Sequence, residues 1–475
     1  MRKALSKLSI ALAFVVVSCT IVEAAVPIPH VEGPLAHSDG GALVWRVSDK
    51  GYVAEEYLIS GTADTYAAVG MADAGTITTR DNTKDALQRE SYDRTVLRAK
   101  QPYVTRIILY KPANVAKFSG NVVAEVAHPN GGGTALVWQE ISGYFLSHGD
   151  VYVSIQHPAT FDSVRKFDPR KYGALSAVDN TQLWGMIAQI GALIKGNGAS
   201  SPLRHYPVKY LFLTGYSYTG LATTTFADFH HETSTLPDGR AIFDGYIPMG
   251  SSMYVRPLPV PIIRIMTQSD FNTYGGLNTR RDDSDSEDSP FRLYEVAGAS
   301  HVNASPVVAG AKPPAPETLA DPANLGPPRL LEGRCKKSFP ADSGPNDVAL
   351  DYVMVGVFEN MYAWVRTGLK PPHAPRLETN SDGSAATDSS GNVLGGLRLP
   401  EIAVPVATYG VGSGECFFYG YRVPYSADHI KKLYGSRAQY LMEVSAKAQS
   451  LVEQHWLRAQ EAAAIVEAAK RIPEF

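Results

Sequence analysis

The chain has 475 residues, with 44 Lys and Arg against 47 Asp and Glu and a net charge of −3. That length suits one large α/β domain or two ordinary ones, with room for a sizeable core. The even charge balance offers no footprint for nucleic acid or an anionic membrane, and a hydrophobic share of 44% excludes a disordered chain.

Arg2, Lys3 and Lys7 precede an apolar run over residues 8–19, and Val22 and Ala24 then suit cleavage after Ala24. The pattern predicts a signal peptide over residues 1–24 and an exported protein, periplasmic or secreted. The apolar run is shorter than the ~20 residues a spanning helix needs. Residues 16–19 (VVSC) also match a lipoprotein signal. Soluble export is the reading taken, and a lipid anchor at Cys19 is the alternative. In an oxidising compartment Cys335 and Cys416 are a candidate disulfide, against the alternative of two free buried thiols.

Residues 52–66 (YVAEEYLISGTADTY) alternate apolar and polar positions around Gly61, which predicts an antiparallel strand pair. Residues 104–110 (VTRIILY) and 121–128 (NVVAEVAH) are predicted strands rich in Val and Ile. The second runs into His128-Pro129-Asn130-Gly131-Gly132-Gly133. Glycines directly after a strand let backbone N–H groups converge on an anion, so Asn130, Gly131 and Gly132 are candidate oxyanion donors. Residues 151–157 (VYVSIQH) form the next strand, and a helix containing Trp184 and residues 187–194 follows. Strands alternating with helices predict a doubly wound, mostly parallel sheet with helices on both faces, in one domain over residues 25–475.

Residues 210–232 (YLFLTGYSYTGLATTTFADFHHE) combine a short apolar strand, a tight turn and a helix. A strand reversing straight into a helix needs small residues around the turn, here Gly215, Thr219 and Gly220. Such an elbow lifts the Ser217 hydroxyl above the sheet and aims the Tyr218 N–H at an oxygen that becomes negative during attack. Ser217 is the candidate nucleophile. Thr219 stands where the common motif has Gly.

Residues 242–249 and 260–266 are further predicted strands, and Asp270 follows the second. A carboxylate at that edge of the sheet suits the third member of a triad. Residues 280–288 (RRDDSDSED) predict a solvated acidic loop whose charges Arg280 and Arg281 could neutralise. It fails the calcium-loop pattern, because Asp288 replaces the required Gly and Tyr294 the required Glu. Asp282, Asp283 and Asp285 are alternatives to Asp270 as triad acid. Residues 291–296 (FRLYEV) predict a strand ending in the loop that carries His301. Of the 12 histidines, His301 alone fits both position and the order Ser217, Asp270, His301. His230 and His231 are neighbours on a helix, a poor chelate, and are expected at the surface. Neither a metal nor an organic cofactor is signalled or needed.

Residues 305–345 are rich in Pro and Gly. Within 305–400 a lid or surface excursion is expected, interrupted by a core-packing helix over 347–368. Helices are expected over 426–475, the last from about residue 445 to 471.

YVAEEYLISGTADTY, GYSYTG, YEVAGASHVN and GNVLGGLRLPEIAVPVATY together make the chain resemble a group of exported α/β-hydrolase-domain proteins. The elbow of that group is usually G-x-S-Q-S-G. The resemblance implies that Ser217 matches its nucleophile, Thr219 its small residue and His301 its histidine. Tyr218 departs from the usual Gln, and Gln268 stands near where relatives often carry an acid, which leaves Asp270 as acid by proximity. The implied activity is hydrolysis of carboxylic esters, small or polymeric. The alternative is a non-catalytic surface or binding protein that keeps the fold, and the presence of a carboxylate beside His301 discriminates the two.

Overall fold

The computed structural model describes residues 25–36, 47–67, 95–129, 135–251, 253–273, 276–302 and 335–475. The expected signal peptide with Cys19, the candidate donors Asn130, Gly131 and Gly132, and residues 305–334 of the expected excursion lie outside the described residues.

Nine strands form one sheet: β1 (His30–Glu32), β2 (Tyr52–Tyr66), β3 (Val96–Pro112), β4 (Asn121–Val126), β5 (Val151–Ile155), β6 (Tyr210–Tyr216), β7 (Gly245–Met249), β8 (Ile262–Thr267) and β9 (Phe291–Val296). Their spatial order is β1-β2-β3-β5-β4-β6-β7-β8-β9. The first four pair antiparallel, and from β5 to β9 every neighbour is parallel. The parallel strands are buried almost throughout, as continuous Val and Ile runs between two helical layers must be.

The connections explain those layers. Helix α1 (Leu136–His148) joins β4 to β5, and α2 (Leu183–Gly196) joins β5 to β6, which runs back across the sheet in the opposite direction. Right-handed crossovers in opposite directions place the two helices on opposite faces. Helix α3 (Tyr218–His230) joins α2, as the stacking of Trp184 on His230 records, while α5 (Leu350–Thr367) joins α1 through Phe145 and Phe358. Between them, α4 (Gln268–Thr273) follows β8. The direction reverses between β4 and β6, so the crevice at their carboxyl ends is the place where open α/β sheets bind ligands.

Two predicted elements differ. Residues 52–66 are one strand rather than a pair, with Gly61 opposite Tyr103. A Cβ at Gly61 would meet Gln189 at 2.5 Å, so the glycine admits a side chain from α2 and makes no turn. The expected last helix is two helices, Arg437–Glu453 and Ala459–Ala469. The break lets Trp456 and Leu457 enter the core, and His455 takes a left-handed φ of 62°.

Beyond α5, residues 376–397 add to the sheet edge, with Leu397 bridging Val296. A second sheet follows, ordered β10-β12-β11 from Gly344–Pro345, Gly420–Pro424 and Ala407–Val411. Cys335 and Cys416 are joined in a disulfide with a Cα–Cα distance of 5.6 Å, which ties the start of this region to the β11–β12 turn.

Candidate active site

β6 delivers Ser217 to the carboxyl edge of the sheet, and α3 begins on the next residue. Ser217 has φ 60° and ψ −124°, a conformation non-glycine residues rarely hold unless their surroundings impose it. The surroundings are explicit. A Cβ on Gly215 would lie 2.2 Å from the Thr219 carbonyl oxygen, and one on Gly220 2.2 Å from that of Met249. The same Met249 oxygen accepts the Ser217 N–H at 3.0 Å. Thr219 is fully buried, and its hydroxyl accepts the Tyr216 N–H at 3.0 Å and donates to the Tyr216 carbonyl at 2.9 Å. A hydroxyl where the common motif has Gly therefore staples the turn.

His301 lies on the loop after β9, and its Nε2 is 2.8 Å from Ser217 Oγ. Its Nδ1 is 2.6 Å from Asp270 Oδ1, at the start of α4. A carboxylate facing Nδ1 keeps the proton on that nitrogen, which leaves Nε2 to accept from the serine hydroxyl. The other Asp270 oxygen accepts the Thr267 N–H and hydroxyl, each at 2.8 Å. Burial alone would raise the Asp270 pKa, but the His301 imidazole and these donors more than offset it and hold the carboxyl below its ordinary range.

Three residues hold the histidine loop, two of which, Asn346 and Tyr216, the sequence did not point to. Gln268 Oε1 accepts the Gly298 N–H at 3.0 Å, Asn346 Nδ2 donates to the Gly298 carbonyl at 2.7 Å, and the Tyr216 hydroxyl donates to the His301 carbonyl. Gln268, set aside as unable to act as a carboxylate, thus positions the loop instead. The 30- and 48-residue separations of the first two bonds leave no local signature.

Of the alternative acids, Asp282 is exposed, Asp283 takes Arg376 at 2.7 Å and the Leu293 N–H, and Asp285 pairs with Arg292 at 2.5 Å. The expected neutralisation by Arg280 and Arg281 is corrected: Arg280 makes a two-pronged bond to Glu295, and Arg281 donates to the Val255, Arg256 and Ser289 carbonyls. Nor are His230 and His231 at the surface. His230 packs with Trp184 and Phe226, and His231 Nδ1 lies 2.9 Å from the Tyr246 hydroxyl, because α3 is buried all round. Among the described residues no group of three His, Cys, Asp or Glu could hold a metal.

Tyr218 begins α3, so its N–H belongs to the first turn of that helix, beside Ser217. Its ring meets His128 and His157 edge-on, at centroid distances of 6.0 and 5.4 Å. His157 Nδ1 accepts the Ala159 N–H at 3.0 Å, which places the proton of the neutral ring on Nε2. Burial, then a neighbouring imidazole, pushes His128 down to about 4 and His157 to about 3.

A family model described as "Alpha/beta hydrolase domain" matches residues 24–467. No curated protein matches the chain. Among solved structures, a putative dienelactone hydrolase from Klebsiella pneumoniae subsp. pneumoniae MGH 78578 is 11% identical, over 40% of this chain and 79% of that one, with a TM-score of 0.28. A cold-adapted esterase from an Arctic intertidal metagenomic library is 11% identical, over 56% and 95%, with a TM-score of 0.26. An alpha-beta serine hydrolase homologue from Coxiella burnetii is 13% identical, over 42% and 84%, with a TM-score of 0.25.

Proposed function

This chain belongs to the alpha/beta hydrolase domain family, and from that premise we propose that it is an exported serine hydrolase that cleaves carboxylic esters through an acyl-enzyme. The observation that carries the reading is the unbroken line Ser217 Oγ, His301 Nε2, His301 Nδ1, Asp270 Oδ1, with contacts of 2.8 and 2.6 Å.

In this reading His301 takes the Ser217 proton as Oγ attacks the ester carbonyl, and Asp270 orients the ring and stabilises the imidazolium. The Tyr218 N–H, in the first turn of α3, donates to the oxyanion. The imidazolium protonates the departing alcohol, and water, activated by the same ring, releases the acid. General-base help contributes about 10²–10⁴-fold and each oxyanion donor roughly 3 kcal/mol. The non-catalytic alternative would gain support from a His301 with no carboxylate beside it, and Asp270 Oδ1 lies 2.6 Å from its Nδ1.

The test is covalent labelling by a fluorophosphonate, alongside turnover of p-nitrophenyl esters of rising chain length. Wild type should label, Ser217→Ala should not, and His301→Ala should label far more slowly. Turnover should fall by about 10⁴-fold or more in Ser217→Ala. Equal labelling of all three proteins refutes the assignment.

A further inference from the structure

The turn between β11 and β12 carries two adjacent phenylalanines, Phe417 and Phe418, whose rings lie 3.8 Å apart by centroid. Both are partly exposed. They face the histidine: the Phe418 ring is 5.1 Å and the Phe417 ring 6.1 Å from that of His301. Tyr216 flanks the same imidazole at 5.1 Å.

The placement is enforced from two sides. The Val302 N–H, one residue past His301, donates to the Phe418 carbonyl at 2.8 Å. Cys416, just before the pair, is cross-linked to Cys335. Each ring keeps part of its surface exposed, and that remaining apolar area gains by being covered. Water-facing aromatic surface beside a reactive group is what an apolar ligand group would cover.

Which part of an ester reaches these rings follows from the direction of proton transfer. The group that His301 must protonate is the leaving oxygen, so the alcohol portion departs across the imidazole, whereas the acyl chain stays on Ser217. Resting on the serine-hydrolase reading, we infer that Phe417 and Phe418 form the wall of the alcohol-binding side of the site and select esters of apolar, aromatic or long-chain alcohols.

The experiment varies one side of the ester at a time and follows acid release in a pH-stat. The alcohol arm compares kcat/KM for benzyl acetate with methyl acetate, and the acyl arm compares methyl octanoate with methyl acetate. Using kcat/KM keeps the readout on acylation, the step in which the alcohol is still attached. In Phe418→Ala the benzyl-to-methyl ratio should fall about tenfold, the scale of losing one ring contact, with a smaller fall in Phe417→Ala. The octanoate-to-acetate ratio should stay at the wild-type value, and Phe418→Leu should restore most of the loss. Fluorophosphonate labelling of each variant reports an assembled site; should Phe418→Ala not label, the benzyl-to-methyl ratio of Phe417→Ala decides. An unchanged alcohol ratio in labelled variants, or a loss confined to the acyl arm, overturns the inference while leaving the hydrolase reading intact. A wild type that neither labels nor releases acid from any ester defeats the parent reading instead.

Discussion

Two carboxyl groups near the carboxyl edge of the same sheet are buried out of reach of solvent, and they behave in opposite ways. Asp270, after β8, accepts a backbone N–H, a threonine hydroxyl and the His301 imidazole. Glu125, near the end of β4, accepts the Val137 N–H at 2.9 Å, the Trp138 N–H at 3.2 Å and the Tyr152 hydroxyl. Burial pushes Glu125 up to about 7 despite those donors, while Asp270 is held below the usual carboxylate range. Neutral donors do not make up for lost hydration, and a neighbouring group able to carry positive charge does. Asp270 is therefore ionised when an imidazolium forms beside it. Glu125 instead caps the first turn of α1, whose N-cap residue Ala135 supplies no side-chain cap.

The largest effect should come from removing charge at Asp270. Asp270→Asn keeps an acceptor for Thr267, but offers His301 Nδ1 an amide that no longer fixes the tautomer. Turnover of p-nitrophenyl acetate should fall by about 10⁴-fold with the melting temperature little changed. Retained turnover would mean that another carboxylate serves His301. Removing the imidazole probes the same pair from the other side. In His301→Phe, Asp270 loses the chief influence that opposes burial, so its pKa should rise above the ordinary range, as Glu125's does. The sign of the pH dependence then reverses. In wild type the Asp270 contribution is present above its unfolded pKa and is lost as pH falls through the lower folded value. In the variant it is present at low pH and is lost as pH rises through the higher folded value. Urea midpoints at pH 3, 5 and 8, compared between the two proteins, measure that reversal, because the wild-type contribution changes only below about pH 4 and the variant's changes above it; parallel shifts would contradict it.

What the sequence made legible was local. The elbow is a strand, a glycine, a serine and a helix within a dozen residues, and Asp270 and His301 each stand a few residues past a strand end, so position and order sufficed. The doubly wound sheet was readable because β4, β6, β8 and β9 are buried and mostly apolar, with single charged residues such as Glu125, Arg264, Arg292 and Glu295 among them. What escaped depends on distant partners. Arg280 turns away from its acidic neighbours because Glu295 and the Leu377 carbonyl lie on its other side. His230 is buried because Trp184, 46 residues earlier, covers it. The break at Trp456 occurs because burying an indole is worth more than continuing an exposed helix. Phe417 and Phe418 reach His301 only through a hairpin that no periodicity announces.

The smallest effect should appear at Glu125, where only stability is at issue. Its unfolded pKa is near 4.3 and its folded value about 7. Between those values the folded state holds more protons, so this residue's contribution is full below about pH 4 and fades as pH rises towards 7. Glu125→Gln removes that slope. The amide oxygen can still accept the Val137 N–H, but its NH₂ group faces the Trp138 N–H as a second donor, at a cost of about 1 kcal/mol. Gln should therefore be the less stable protein at pH 5, and the gap should close or invert by pH 8, while fluorophosphonate labelling of Ser217 persists at both. A pH-independent difference in urea midpoints would show that Glu125 is ionised in the folded protein, and that the hydroxyl and two amides alone suffice where an imidazole is needed at Asp270.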